Sequence, residues 1–335
     1  MKAEKPAPET DKEPNTPHPR ETFTFLGHDE EEAALSDGFA SGRMHHAWLL
    51  AGAKGLGKAT LAYRFARAAL GARRTGGRPL DVDPEDTISR RITALSHPDM
   101  FVLRRGLNDR GKPRREITVD DARDLGHFFS LAPSEGGMRV AIIDAVDDLN
   151  RNAANAILKT LEEPPARSVL LLVCHAPGAI LPTIRSRCRR LALRPQPDAI
   201  VRAALGADAD EALVTLAKGR PGRAIAYKAQ GVDAKFADVR RAQVALARGE
   251  AGAMLSALYD QTSGEPFEKL AAVLELAGEW TRAAGVEEGG ESWAEAWSAL
   301  ETLRDEAEGL DMDPRHALAR AVGLLDRAAA VSSRR

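Results

Sequence analysis

Ala47-Trp48-Leu49-Leu50-Ala51-Gly52-Ala53-Lys54-Gly55-Leu56-Gly57-Lys58-Ala59-Thr60 decides the fold. Five apolar residues of strand length run directly into a glycine-rich loop. From Ala59 to Leu70 the apolar positions Leu61, Phe65, Ala69 and Leu70 then recur at helical spacing. Strand, loop and helix in that order are the setting in which such a loop cradles phosphate, its N–H groups pointing inward beside the helix N-terminus. Gly52, Gly55 and Gly57 give the loop its freedom and Lys58 gives it a cation. The last position departs from the pattern. Ser or Thr belongs there, because its hydroxyl holds Mg²⁺, and Ala59 has no oxygen. Thr60 comes one residue late; a helix turns by about 100° per residue, so its hydroxyl is expected to miss the metal.

A second signature of phosphate chemistry departs in the same direction. Val140-Ala141-Ile142-Ile143-Asp144-Ala145 reads as a buried strand ending in a metal-facing acid. A hydrolytic enzyme of this kind places a carboxylate next, and Ala145 stands in its place. Asp147 and Asp148 follow. One of them could substitute as a base, although an acidic turn capping the next helix is the simpler reading. A triphosphate site without its metal hydroxyl and its base points to a nucleotide-enzyme fold that does not turn over.

The chain of 335 residues is long enough for two or three domains. Aromatic residues make up only 5% against 44% hydrophobic, so the cores should be Ala, Leu and Val, which favours helices. A net charge of −2 means that any contact with DNA must come from a local patch. Cys174 and Cys188 make neither a disulfide framework nor a four-ligand zinc site. No apolar run approaches the ~20 residues that span a bilayer, and the N-terminus lacks the apolar core of a signal peptide. A cytoplasmic location is expected.

Residues 1–20 are rich in Pro, Lys, Glu and Thr, with no large aliphatic side chain after Met1. This predicts a disordered tail that is removable without loss of folding. Further strands are expected at Phe101–Leu103, Val140–Ile143 and Val169–Val173, the last a continuous apolar run suited to a strand covered on both faces. Helices are expected from Val119, with Asp120 as N-cap, and over Asn152 to Glu163, stopped by Pro164-Pro165. Strands alternating with helices over residues 47–193 predict a parallel α/β sheet. Arg194-Pro195-Gln196-Pro197 marks a boundary, beyond which the chain reads as helical. Phe267, Leu270, Leu274 and Ala277 form one stripe there, and Trp293, Ala296, Trp297, Leu300 and Leu303 another. Asp313-Pro314 opens a last helix.

Three polar features have an ordinary reading beside a functional one. Arg104 to Arg115 holds six Arg or Lys in twelve residues and could touch phosphate, but a charged hairpin tip is simpler. His45-His46 has no third ligand nearby in sequence, so a structural role is preferred. Leu181-Pro182-Thr183-Ile184-Arg185-Ser186-Arg187-Cys188 places two arginines on what composition alone calls a surface turn.

Several segments together resemble a known family. They are Gly42-Arg43-Met44-His45-His46-Ala47-Trp48-Leu49-Leu50, the loop ending Gly57-Lys58-Ala59-Thr60-Leu61-Ala62, and Ala153-Ala154-Asn155-Ala156-Ile157-Leu158-Lys159-Thr160-Leu161-Glu162-Glu163-Pro164-Pro165. Leu181 to Cys188 and Gly219-Arg220-Pro221-Gly222-Arg223-Ala224 extend the match. They resemble the delta-prime family of clamp-loader subunits of bacterial DNA polymerase III, which are AAA+ proteins. The resemblance implies an AAA+ base domain over residues 21–194, a small helical lid over 195–232, and an all-α collar over 233–335 that holds a pentameric ring. It implies a degenerate nucleotide site made of Gly52, Gly55, Gly57, Lys58, Thr60, Asp144 and the lid arginine Arg223. It also implies that Arg187 reaches the γ-phosphate of a neighbouring subunit's ATP. Implied partners are the gamma/tau and delta subunits and, through the complex, the sliding clamp and primed DNA. The family usually carries a four-cysteine zinc module after the phosphate loop. Residues 71–100 contain no cysteine, so zinc is expected to be absent and packing around Leu80, Val82, Ile88 and Ile92 to take over its role. No cofactor is expected beyond passively held nucleotide.

Two functions from different classes follow. One is a structural and regulatory subunit of the polymerase holoenzyme that supplies Arg187 in trans and has neither ATPase nor polymerase activity of its own. The alternative is an active, gamma/tau-like ATPase motor of the same ring. Ala59 and Ala145 favour the first. A small-molecule kinase is disfavoured by Ser186-Arg187-Cys188 and the long helical C-terminal region.

Overall fold

The computed structural model describes the chain apart from residues 1–8, 10, 13–15, 109–110, 112, 136, 179, 208, 232–249, 263–265, 289–290, 310–311 and 333–335. Two compact units are present, one built chiefly from residues 17–200 and the other chiefly from 201–219 and 223–335.

In the first unit α1 (Asp29–Ala40) precedes β1 (Ala47–Ala51), α2 (Lys58–Ala69), α3 (Thr87–Thr93), β2 (Met100–Arg104) and α4 (Val119–Ser130). After these come β3 (Arg139–Asp144), α5 (Arg151–Glu162), β4 (Ser168–Cys174), the short α6 (Pro182–Arg185) and β5 (Arg189–Ala192). The strands form one parallel sheet in the order β2-β3-β4-β1-β5, as the alternation of strands and helices predicted. Successive strand residues face opposite sides, and the core divides accordingly. Trp48, Leu50, Val140, Ile142, Leu171 and Val173 pack with α2 on one face. Leu49, Ala141, Ile143, Leu170 and Leu172 pack with α4 and α5 on the other. Both faces are covered, which is why these strands read as unbroken apolar runs.

Several expectations shift. The N-cap of α4 is Thr118, not Asp120; the Asp121 carboxylate accepts from the Thr118 N–H at 2.9 Å and from its hydroxyl at 2.7 Å. Asn150 caps α5, its Oδ1 accepting from the Ala153 N–H at 2.9 Å. The segment after Cys188, to which no element was assigned from the sequence, is the edge strand β5, with Arg189 and Arg190 exposed and the Arg189 guanidinium 4.7 Å from the Trp48 ring. The disordered tail is corrected in its described part. His18 is fully buried, Pro19–Glu21 forms a turn of 3₁₀ helix, and Arg20 Nε donates to the Thr93 carbonyl at 2.9 Å. Ion pairs and ring packing, not aliphatic burial, hold this segment, so its lack of aliphatic residues misled. The rest of the expected tail, residues 1–8, 10 and 13–15, lies outside the described residues.

Leu80, Val82 and Ile92 are buried in the first core, with Ile88 packed against it. A network of charges joins this stretch to α1. Glu32 is fully buried and accepts from Arg64 Nη2 at 2.7 Å, Arg78 Nε at 2.6 Å and the Leu80 N–H at 3.2 Å. Arg78 also donates to the carbonyls of Phe25 and Gly27 at 2.6 and 2.8 Å.

In the second unit α7 (Asp198–Leu205), α8 (Glu211–Ala217) and α9 (Pro221–Ala229) share one core with α10 (Ala251–Gln261), α11 (Pro266–Glu288), α12 (Glu291–Gly309) and α13 (Pro314–Ser332). Leu270, Leu274, Ala277, Trp293, Ala296, Leu300 and Leu303 are buried in it, while Trp297 stays 37% exposed. Asp313 caps α13, its Oδ1 accepting from the His316 N–H at 3.0 Å. The boundary expected between lid and collar at 232–233 lies outside the described residues. Among the described residues no helix is long and apolar enough to cross a membrane.

Candidate nucleotide site

The loop from Gly52 to Gly57 leaves the C-terminal end of β1, between β4 and β5, and enters α2; ligands of such folds bind at the carboxyl ends of the strands. Its glycines are needed for shape. Gly52 has φ 152°, and a Cβ there would lie 2.4 Å from the Leu193 carbonyl oxygen. Gly57 has φ 86°, and a Cβ would press on the Phe25 ring at 2.9 Å. Phosphate-loop geometry is therefore kept, and Lys58 lies against the loop. Lys58 is 3% exposed, and its Nζ donates to the carbonyls of Gly52 at 2.6 Å and Ala53 at 2.7 Å. Burial pushes its pKa down to about 8, against the opposing pull of Asp144 and Asp147. The Gly55 carbonyl accepts from the Gly222 N–H at 2.9 Å.

Ala59 begins α2 and brings only a methyl group, and Thr60 follows half-buried one residue further on. Asp144 ends β3 buried, and burial, reinforced by the charge of Asp11, lifts its carboxyl to about 7. Ala145 beside it is 3% exposed. Neither later acid is placed as a substitute base. Asp147 accepts from the N–H groups of His175 at 2.5 Å and Ala176 at 2.9 Å, which ties the end of β4. Asp148 pairs with Arg105 at 3.3 Å.

Arg223 lies on α9 in the second unit, buried against the Tyr227 ring at 4.7 Å and ion-paired with Glu275. Arg187 follows α6. It is partly exposed, pairs with Glu162 at 2.7 Å and donates to the Thr183 carbonyl at 2.9 Å. In the basic insert, acids neutralise Arg104, Arg105 and Arg114, as a charged hairpin base requires. Asp109, Arg110 and Lys112 lie outside the described residues. His45 and His46 stack on each other 4.4 Å apart, and His46 Nε2 is 3.0 Å from the Leu161 carbonyl. Among the described residues no group of three or more His, Cys, Asp or Glu is placed to hold a metal. Sequence reasoning missed Asp11, His18 and Glu32, since nothing in a run of acids marks the one that turns inward.

The state of Asp144 can be tested. Its folded pKa lies above the ordinary 3.8 of a free carboxyl. Between about pH 4 and 7 the folded chain therefore holds a proton that the unfolded chain has lost, and stability falls as pH rises through that window. Asp144→Asn should flatten this slope. The variant is expected to match the wild type near pH 4 and to exceed it near pH 8 by on the order of 1–4 kcal/mol in urea melts. Equal slopes for the two proteins would refute the assignment.

A parallel sheet with a phosphate-type loop at the C-terminal end of β1, followed by a helical unit, defines an α/β fold of the phosphate-loop class. The chain belongs to the family described as DNA polymerase III, delta subunit, which matches residues 27–197, just over half of its length. It is 37% identical over 202 residues to DNA polymerase III subunit delta' of Pseudomonas aeruginosa, covering 58% of this chain and 59% of that one. It is 33% identical over 175 residues to DNA polymerase III subunit tau of Salmonella typhimurium, covering 52% of this chain and 26% of tau. The chain thus spans about three fifths of the delta' relative and about a quarter of tau. In fold it is similar to a DNA polymerase III gamma subunit-related protein of Thermotoga maritima, with a TM-score of 0.52 at 16% identity over 89% of this chain and 99% of that one.

Proposed function

We propose that this chain is a non-hydrolysing, delta-prime-type subunit of the DNA polymerase III clamp loader, which presents Arg187 to the ATP of a neighbouring subunit. Its partners on this reading are gamma/tau and delta, with the sliding clamp and primed DNA engaged through the whole complex in the cytoplasm. One observation carries the proposal: the loop enters α2 at Lys58-Ala59, where Ala59 has no hydroxyl, and β3 ends in Asp144 followed by Ala145, which has no carboxylate. Hydrolysis needs a hydroxyl for Mg²⁺ and a carboxylate to position water. Neither stands at these two positions. Arg187, in the turn that follows α6, offers a planar, permanently charged fork suited to phosphate oxygens.

The kept loop geometry and the similarity to tau favour the motor reading instead, and ATP turnover by the isolated chain separates the two. No hydrolysis above background is expected. Turnover in the ordinary enzyme range of ~1 s⁻¹ or more, abolished by Lys58→Ala, would establish a motor.

A further inference from the structure

The chain has 49 acids among its 335 residues, yet residues 164–197 hold six arginines and no Asp or Glu. Five of the six fall at one rim of the sheet. Arg185 ends α6, Arg187 follows it, Arg189 and Arg190 open the edge strand β5, and Arg194 lies just past its end. The Leu193 N–H still donates to the Ala51 carbonyl at 2.8 Å, so the chain stays alongside β1 almost to Arg194. Glu162 takes up Arg187. Arg185, Arg189, Arg190 and Arg194 are exposed, and among the described residues none of the four has an ion pair. Other exposed arginines of this unit are neutralised, Arg73 by Asp83, Arg90 by Glu85 and Arg123 by Asp120. In the basic insert Arg104, Arg105 and Arg114 are neutralised as well. The uncompensated charge lies instead along β5.

We propose that the rim formed by Arg185, Arg189, Arg190 and Arg194 is a nucleic-acid contact of this chain itself, holding the phosphodiester backbone without reading base sequence. A chain of net charge −2 attracts a polyanion only through a local patch, and this is one. Trp48 is the register partner of Arg189 and Leu49 that of Arg190, so the two side chains leave opposite faces and charge both sides of the rim. The Trp48 ring steadies Arg189 at 4.7 Å without cancelling its charge. The patch also lacks what a protein partner needs. Protein interfaces are centred on apolar and aromatic anchors. The exposed large hydrophobic side chains among the described residues, Leu95, Leu131, Trp297 and Val331, all lie outside residues 164–197. Phosphate asks only for charge and paired donors, which guanidinium groups supply. This contact goes beyond the proposed function, where DNA is engaged through the whole complex, and holds whether or not the chain hydrolyses ATP.

The experiment titrates the full chain, without ATP or other subunits, into a labelled DNA single strand and a labelled duplex of mixed sequence, by fluorescence anisotropy across a salt series. One variant combines Arg185→Gln, Arg190→Gln and Arg194→Gln, sparing Arg189 because it packs on Trp48. A control combines Arg73→Gln, Arg90→Gln and Arg123→Gln, which removes the same charge from exposed arginines that have acid partners. The wild type should bind saturably at low salt. The rim variant should bind about tenfold or more weakly, and its dependence of log K on log salt should flatten by ~0.9 per lost phosphate contact on the duplex or ~0.7 on the single strand. The control should keep both affinity and slope. Replacing the three rim arginines by Lys keeps the charge and should keep the slope. No saturable binding by the wild type, equal losses in rim variant and control, or a Lys variant as weak as the Gln variant would each overturn the contact. So would tighter binding of a labelled polyglutamate peptide than of either DNA, since the rim would then fit an acidic protein. None of these readouts involves ATP hydrolysis or ring assembly, so their failure is distinct from failure of the proposed function.

Discussion

Glu32→Ala is expected to remove a large share of the first unit's stability, on the order of 3–5 kcal/mol, the cost of breaking a buried ion pair from one side. Glu32 is 0% exposed and receives two guanidinium groups and a backbone N–H. Truncation leaves Arg64, itself 2% exposed, with only Asp81 at 2.6 Å as a carboxylate partner. It leaves Arg78 with Asp29 at 2.8 Å, a carboxylate on the solvent side. It also takes the acceptor from the buried Leu80 N–H. Domains of this kind hold ~5–15 kcal/mol in total, so the variant should melt many degrees lower or fail to fold. Glu32→Gln keeps one acceptor oxygen and should fall between. Arg78→Ala should cost less than Glu32→Ala, because its side chain is 27% exposed and part of the pairing is screened. Urea denaturation is the measurement. A Glu32→Ala variant within about 1 kcal/mol of the wild type, the level of a surface pair, would show that the network is incidental.

Arg187→Ala should leave this chain's own melting temperature nearly unchanged and lower ATP hydrolysis by the reconstituted clamp loader. The local change is small because Arg187 is 35% exposed and its partner Glu162 is 50% exposed, a pair worth ~1 kcal/mol or less. On the proposed function the catalytic change is large at the one site Arg187 would serve. An arginine that stabilises charge developing on a transferring phosphoryl group is worth ~10³–10⁵ in rate. On the same reading the other sites of the ring do not depend on Arg187, so the whole ring should lose only the share of turnover that passes through that site, and clamp loading on primed DNA should fall with it. Arg187→Lys should be nearly as damaging, since an ammonium group cannot reproduce the two-pronged donor. Wild-type hydrolysis and loading by the Arg187→Ala ring would reduce this residue to a surface arginine paired with Glu162.

The phosphate loop was legible because its signals are local: glycine where φ is positive or the backbone crowds, and a change of apolar period from strand to helix. The parallel sheet was legible for the same reason, since Val140–Ile143 and Val169–Val173 are covered on both faces and read as unbroken apolar runs. β5 was not, because four residues beginning Arg189-Arg190 at a sheet edge carry neither length nor an apolar run. Glu32 was hidden in Asp29-Glu30-Glu31-Glu32, an acidic first turn that suits any helix N-terminus. Only tertiary structure singles out its fourth member. His18 and Asp11 were hidden because a polar, proline-rich stretch signals disorder unless its charges find partners, and Arg104 lies 93 residues from Asp11. At the candidate nucleotide site the absence of a hydroxyl at 59 and of a carboxylate at 145 could be read directly.

The edge strand β5 has a bearing on how molecules behave at high concentration. Among the described residues its outer row of N–H and C=O groups faces no further strand of the sheet, and such a row is a template on which another chain's strand can add and aggregates can grow. Arg189 and Arg190 stand on that row. A second molecule docking there edge to edge would have to strip water from two guanidinium groups and set them against two identical ones. The four-residue length leaves little hydrogen bonding to offset that repulsion. The feature that hid β5 from recognition in the sequence also keeps it from recruiting its own kind.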